Sequence, residues 1–217
     1  MFIENGWVSS PEARSAQITQ TLRGDGKRLF DMVSSLTLLL LCGPVLLSAM
    51  LVLWLSSFGR EPVIYRQIRV GLKGRQFTLL KLRTMHADAE RDGASMAAVN
   101  DSRVTRVGRI LRRSRIDELP QLINVLRGEM SLIGPRPERP EFVNQFETEI
   151  EGYSLRHLVK PGITGLAQVH YGYAANLQDA AVKLYYDLNY IKNDSLRLDL
   201  HILLQTLPVV FFGWGAR

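Results

Sequence analysis

Asp117 and Glu118 stand side by side in RSRIDELPQ. The thirteen residues from Arg103 to Arg115, RVTRVGRILRRSR, hold six arginines and no acid. Two readings suit the aspartate. An Asp ahead of a helical pattern is a favoured N-cap and needs no further role. A carboxylate pair ringed by arginines suits a diphosphate ligand instead. Guanidinium forks match phosphate oxygens in bidentate fashion, and a helix N-terminus adds free N–H groups. Nearby cations would keep Asp117 ionised and offset the repulsion between an anionic nucleophile and an anionic phosphate. Carboxylates do attack phosphorus, through aspartyl-phosphate intermediates. On this reading Asp117 is the nucleophile, and Glu118, with Asp117 beside it, is a ligand for Mg²⁺, which takes oxygen donors and bridges phosphates. Arg112 lies close by in sequence, and Arg136 is held stiffly between Pro135 and Pro137. Lys81 and Arg83 in KLRTM, and Gln67 and Arg69 in QIRVG, either extend an anion site or meet lipid phosphates. Asp187 reads as a solvated helix charge, and Tyr185, Tyr186 and Tyr190 as core or interfacial belt residues.

The bulk properties agree with an anionic partner. A net charge of +6 and a pI near 9.7 suit nucleic acid, phospholipid or phosphorylated substrates. The chain has 217 residues, enough for one modest domain with its own core. One cysteine, Cys42, excludes an intramolecular disulfide. The four histidines are scattered without zinc-ligand spacing, and neither a P-loop nor a G-x-G-x-x-G is present.

The elements that must position these residues begin with an uncharged run from Met32 to Phe58. A spanning helix needs about 20 apolar residues, so one crossing is long enough. Gly43-Pro44 sits near its middle, where proline kinks or breaks a helix. Lys27 and Arg28 precede the run, and Arg60, Arg66, Arg69, Lys73 and Arg75 follow it. Basic flanks mark the cytoplasmic side. Two such flanks leave two structures open: a kinked span, or a re-entrant hairpin returning to the side it came from. Residues 1–26 read as a polar arm. PVIYRQIRV and RQFTLLKLRTM read as short strands about a turn at Gly71–Gly74. HADAERDGASMAAVND reads as a loop or short helix, and 103–114 as a helix with arginines between Val104, Val107, Ile110 and Leu111. DELPQLINVLRG reads as a helix with Asp117 as its cap, Pro120 in its first turn and Gly128 at its end. GPRPERP is a stiff loop, EFVNQFETEIEGYSLR a polar helix and PGITGLAQV extended. Helices over LQDAAVKLYYDLNYIKN and SLRLDLHILLQTLPVVFF close the chain, the last buried or interfacial. The fold class is α-rich α+β, with a short β element and interfacial amphipathic helices at a membrane.

From Lys27 onward the chain resembles the bacterial sugar transferases that act on polyprenyl phosphate, the monotopic phosphoglycosyl transferases. The residues that carry the likeness are KRLFD, YRQIRVGLKGRQFTLLKLRTM, NDSRVTRVGRILRRSRIDELPQLINVLRGEMSLIGPRPE, KPGITGLAQV, YDLNYIKNDSLRLDL and the terminal GWGAR. The resemblance implies transfer of a sugar-1-phosphate from a UDP-sugar to undecaprenyl phosphate with release of UMP. Asp117 would be the nucleophile and Glu118 its partner and a Mg²⁺ ligand. Arg112, Arg136, Lys81 and Arg83 would hold substrate phosphates, and Arg69 and Asp187 would serve the nucleotide. It also implies a re-entrant helix broken at Gly43-Pro44, and a division into an arm (1–26), a membrane hairpin (27–59) and a catalytic domain (60–217) on the cytoplasmic face of the bacterial inner membrane. Phospholipid and downstream glycosyltransferases would be its partners. Arg115-Ile116 replaces the commoner Ser-Leu before the dyad, and Leu82 replaces phenylalanine. Residues 1–26 are too few for the multi-span module of larger relatives, so the expectation is the minimal form. YGYAANLQDA resembles exopolysaccharide-type members, which implies a plain hexose such as glucose or galactose.

The rival reading is a membrane-tethered basic protein that binds nucleic acid or lipid head groups without catalysis. No recognised nucleic-acid motif is present, and the dyad would repel a phosphate backbone, so no nucleic acid is expected as a partner. A structural scaffold gives no reason for the stiff loop beside a dyad. A CDP-alcohol phosphotransferase would need a D-G-x-x-A-R pattern, which is missing.

Overall fold

The computed structural model describes residues 11–91, 93, 101–171 and 176–212, with the backbone alone at 11–23 and 210–212. Its helix-rich architecture is built around one long helix, α1 (Pro11–Ser56). The polar arm is therefore helical from Pro11 onward, a correction to the loose segment expected over 1–26. Proline pre-sets the first helical turn, and Glu12, Ala13, Arg14, Ala16 and Gln17 all favour helix.

The helix also runs on through Gly43 and Pro44, where a break was expected. Opening a turn in an apolar segment would strand several N–H and C=O groups, each at a cost of several kcal/mol. Keeping the proline in the helix forfeits one bond, to the carbonyl of Leu40. The Ser48 hydroxyl satisfies the Pro44 carbonyl at 2.8 Å. The rest of the domain is met on both sides of the proline. Before it, Lys27 pairs with Asp199 at 2.8 Å and reaches the Tyr190 hydroxyl at 2.9 Å. Arg28 donates to the carbonyls of Val125 and Leu126, and the Asp31 carboxylate accepts from Ser131 Oγ and the Leu132 N–H, both at 3.1 Å. After it, Ala49 and Leu53 are buried with Leu82 and Leu111.

An antiparallel hairpin follows, β1 (Ile64–Val70) and β2 (Gln76–Leu82), in register from Ile64 opposite Leu82 to Val70 opposite Gln76. Helices α2 (Arg106–Arg113) and α3 (Gln121–Arg127) come next. The sequence did not reveal a second small sheet, in which β3 (Ser131–Ile133) pairs in parallel with β4 (Gly162–Thr164). Three-residue strands are too short for alternation to register. Helix α4 (Pro140–Glu149) leads into a 3₁₀ stretch at Tyr153–Leu158, so the expected polar helix divides in two, and α5 (Leu166–His170) follows β4. Helices α6 (Leu177–Lys192) and α7 (Leu196–Phe212) close the chain. The central core gathers Leu79, Leu122, Val125, Met130, Ile133, Tyr190 and Ile202. The segment 92–100, bar Gly93, and the GWGAR terminus lie outside the described residues.

Gly24–Ser56 is long and apolar enough to cross a membrane. Leu29, Leu36, Leu40, Leu41, Leu47, Leu51 and Trp54 are exposed along it, and Phe58 beyond its end is 87% exposed. Leu196, Leu200, Leu204 and Leu207 form a second exposed stripe along α7. Exposed apolar stripes of this extent mark an interaction face.

Candidate active site

Asp117 and Glu118 lie on a 3₁₀ turn, Ile116–Glu118, wedged between α2 and α3. Two features set that turn. Thr105 caps α2 by accepting from the Gly108 N–H at 2.9 Å, and Gly108 lets α2 lie directly on the backbone of Thr84, where any Cβ would overlap the Thr84 carbonyl. Arg115 then turns into the left-handed region (φ 58°), which a bulky residue rarely adopts. Such strain persists only where the surroundings impose it, and it gathers at functional sites.

The capping reading of Asp117 fails. Pro120, not Asp117, is the residue before α3, and no side chain caps that helix. Asp117 is 6% exposed, and among the described residues nothing donates a hydrogen bond to its carboxylate. It lines a cleft of about 970 Å³ together with Glu118, Lys81, Arg112, Arg115 and Arg136. Glu118 is gripped by the Arg136 guanidinium, at 2.6 Å and 3.5 Å, with Lys81 and Arg115 each 4.0 Å away. Arg112 donates through Nε to Thr84 Oγ1 at 2.9 Å, and its two terminal nitrogens have no partner among the described residues.

The two carboxylates titrate apart. Burial would raise Glu118, but Arg136 and Lys81 outweigh it and hold Glu118 well below the ordinary carboxylate range. Burial, and then the charge of Glu118, push Asp117 up to about 6 against the pull of Lys81, Arg112 and Arg136. Desolvation is the larger effect on Asp117, and the cations offset it only in part. At pH 7 it is still ionised about ten to one. Burial lowers Lys81 to about 8.

The remaining expected residues fall around this centre. Arg69 lines the cleft and braces the proline loop by donating to the Pro137 carbonyl at 3.0 Å. Arg83 also lines it, but its guanidinium is committed to Glu61 and the Leu53 carbonyl, which fastens the end of α1. Asp187 is not a solvated charge: it is 1% exposed and bound by Arg156 at 2.7 and 3.0 Å. It lies on the inward face of α6 with Leu184 and Tyr190, where a charge requires a partner. Tyr190 is core, whereas Tyr185 is exposed.

Three positioning residues were missed. Arg156 also donates to the carbonyl of Arg136 at 2.9 Å, so the Asp187 pair steadies the arginine that grips Glu118. Asn124 donates to the Thr78 carbonyl at 2.7 Å and accepts from the Leu80 N–H at 3.1 Å, which ties α3 to the edge of β2 beside Lys81. Asp31 seats α1 on β3. The signal for Asn124 and Asp187 was a polar residue on an otherwise apolar helix face. The Arg136 loop is clamped to β4 by Gly134 and Gly162, whose backbones approach too closely for a side chain.

For magnesium, the donor set is adequate but sparse. No group of three or more candidate metal ligands occurs among the described residues. Mg²⁺ commonly uses one or two carboxylates, with the rest of its shell from waters and substrate phosphates. The open Asp117 carboxylate and the more weakly held Oε2 of Glu118 fit that role.

Residues 22–213 match the family model for bacterial sugar transferases. Similar curated proteins include the UDP-N-acetylgalactosamine-undecaprenyl-phosphate N-acetylgalactosaminephosphotransferase of Aeromonas hydrophila, 47% identical over 88% of this chain and 45% of that protein. The UDP-glucose:undecaprenyl-phosphate glucose-1-phosphate transferase of Caulobacter vibrioides is 45% identical over 84% of this chain and 68% of its own. The uncharacterized sugar transferase EpsL of Bacillus subtilis is 40% identical over 88% of this chain and 90% of its own. The chain spans less than half the length of several relatives it matches.

Proposed function

Because this chain belongs to the bacterial sugar transferase family, we propose that it transfers a sugar-1-phosphate from a UDP-sugar to undecaprenyl phosphate, with release of UMP. The observation that carries the reading is Asp117: buried, not capping, without a hydrogen bond to its carboxylate from the described residues, and open to a cationic cleft. In the first step an Asp117 carboxylate oxygen bonds to the β-phosphorus. The bond from that phosphorus to the bridging oxygen breaks, and UMP leaves with the electron pair. In the second, a phosphate oxygen of the acceptor bonds to the same phosphorus and the carboxylate leaves. Neither nucleophile carries a proton that must be removed, so no general base is required. Arg112 and Lys81 offset charge on the transferred phosphate, and Arg136 fixes Glu118. Magnesium, held by Asp117 and Glu118 with the phosphates, would neutralise further charge on the substrate.

The membrane reading goes with this. We take α1 as re-entrant, bending at Pro44 without leaving the helix, with both ends on the cytoplasmic side of the inner membrane, because the stretches before and after the proline dock on one domain and its flanks are both basic. The exposed stripe of α7 would lie at the interface, in contact with phospholipid. Downstream glycosyltransferases would receive the product. The names of the relatives divide between glucose and N-acetylgalactosamine, and residues 172–175 of the stretch that suggested a plain hexose lie outside the described residues. The test is UMP release across a panel of UDP-sugars with undecaprenyl phosphate and Mg²⁺. A second arm uses sugar-labelled donor without acceptor. Label on an Asp117 peptide, lost in Asp117→Asn, supports the two-step route. Normal turnover by Asp117→Asn defeats it, since asparagine caps as well as aspartate but is a far poorer nucleophile.

A further inference from the structure

Away from the dyad the lining of the cleft falls into two groups of unlike chemistry, two arms defined by the elements that supply them. One is apolar, with Leu38, Cys42 and Val45 of α1 and Leu203 and Leu207 of α7. The other comes from β1, the start of α4 and α6, with Tyr65, Arg139, Phe142 and Lys183. In the second arm the cations can be matched to acids one by one. Arg69 pairs with Glu138 at 3.6 Å, Arg139 with Glu90 at 2.8 Å, Arg156 with Asp187 at 2.7 Å, and Arg136 with Glu118 at 2.6 Å. Lys183 is left over. Among the described residues it has neither an ion pair nor a hydrogen bond. It is half-buried on the inner side of α6, one turn before Asp187. The charges it faces are Glu138, Arg136, Arg156 and Asp187, each of which already has its own partner. Burial and the two arginines lower its pKa, so the fold gains nothing evident from keeping a lysine there.

We propose that Lys183 binds the phosphate that leaves with the nucleoside, so that the α4–α6 arm takes the nucleotide and the α1–α7 arm the prenyl chain of the acceptor. This rests on the proposed transfer reaction. Three features carry it. Arg136 grips Glu118 and its charge also reaches Lys183, and the leaving phosphate is one bridging oxygen from the phosphorus that Asp117 attacks. Arg139 sits over the ring of Phe142 at 5.9 Å in the same arm, an aromatic and cationic wall suited to a nucleobase. The apolar arm is lined by side chains of the two helices with exposed apolar stripes, which suits a lipid tail.

The experiment measures direct UMP binding to the full-length protein in detergent, with no sugar donor and no acceptor, for wild type, Lys183→Met and Lys183→Arg. Each melting temperature is recorded alongside. A charge-assisted contact predicts UMP binding about ten- to hundredfold weaker in Lys183→Met and largely restored in Lys183→Arg. Removing an unpaired, half-buried charge predicts an unchanged or raised melting temperature. In turnover, KM for the UDP-sugar should rise while KM for undecaprenyl phosphate stays put. Equal UMP affinity in wild type and Lys183→Met overturns the inference and leaves the transfer reaction standing. So does a marked fall in melting temperature with affinity retained. Failure of the wild type to bind any uridine nucleotide overturns both.

Discussion

At the scale of single residues, the dyad works through unequal titration. In the proposed reaction Asp117 must be ionised to attack, and its carboxyl is pushed up to about 6. The donor-only labelling rate should therefore fall on the acid side with a midpoint near pH 6. Lys81, lowered to about 8, should set the alkaline limb as it loses the charge that binds phosphate. In Lys81→Met a cation that favours the Asp117 carboxylate is gone. The acid limb should move to higher pH and the alkaline limb should vanish. A Lys81→Met profile that overlays the wild type would remove Lys81 from the site. The sign for stability is opposite to that for activity. An acid whose folded pKa is raised from 3.8 destabilises the fold once ionised. Asp117→Asn should thus melt higher than wild type at pH 7.5, with the difference closing toward pH 4. That the acid pair and its arginines would share one cleft was legible from residue type and spacing. Their division of labour was not, because desolvation depends on burial. Nothing in RSRIDELPQ says that Glu118 takes the Arg136 fork while Asp117 stays open.

At the scale of elements, α2 is held against the hairpin's extension by Gly108, and that contact delivers Arg112 to Thr84. Gly108→Val should force the helix outward. The expected cost is about 1–3 kcal/mol of stability, the usual range for overpacking. Turnover should fall further than in Thr84→Val, which removes only the hydrogen bond. Thermal melts and UMP release measure the two. If Gly108→Val were as stable and active as wild type, the α2 seat would not position the site. The hairpin and helices α2, α3, α6 and α7 were legible from alternation, helical spacing and Gly128, which ends α3 in the left-handed region (φ 83°). The β3–β4 pair was not. It is held by Gly134 and Gly162 approaching across about thirty residues of sequence, and no local pattern records which backbones will touch. The proline in α1 was read by its local preference, while its surroundings favour keeping every other backbone bond.

At the scale of the whole molecule, α1 is a core element on one face and bare on the other, which in the proposed membrane reading makes it an anchor as well. If both ends lie on one side, a cysteine near residue 20 and another near residue 95 should resist an impermeant reagent in intact cells and react after permeabilisation. Labelling of the first site from outside would show a span instead. Pro44→Leu should convert part of the population to that span, because the helix then regains its lost bond and straightens. The bonds that seat α1 are also distant in sequence: Arg28 to Val125 is 97 positions, Asp31 to Ser131 is 100, and Lys27 to Asp199 is 172. At about 5–20 residues per second, roughly 9–34 s separate the synthesis of Lys27 from that of its partner. During that interval the ribosome has released the anchor but not the groups that hold it. Only lipid is then at hand to cover its bare leucines. On the proposed membrane reading, the bilayer would act as a stand-in for the missing domain during translation, and the fold would be assembled onto a helix already committed to lipid. A message cut short after the dyad codon would leave a lipid-bound stub, cleared by membrane proteolysis and not by the machinery that handles soluble fragments.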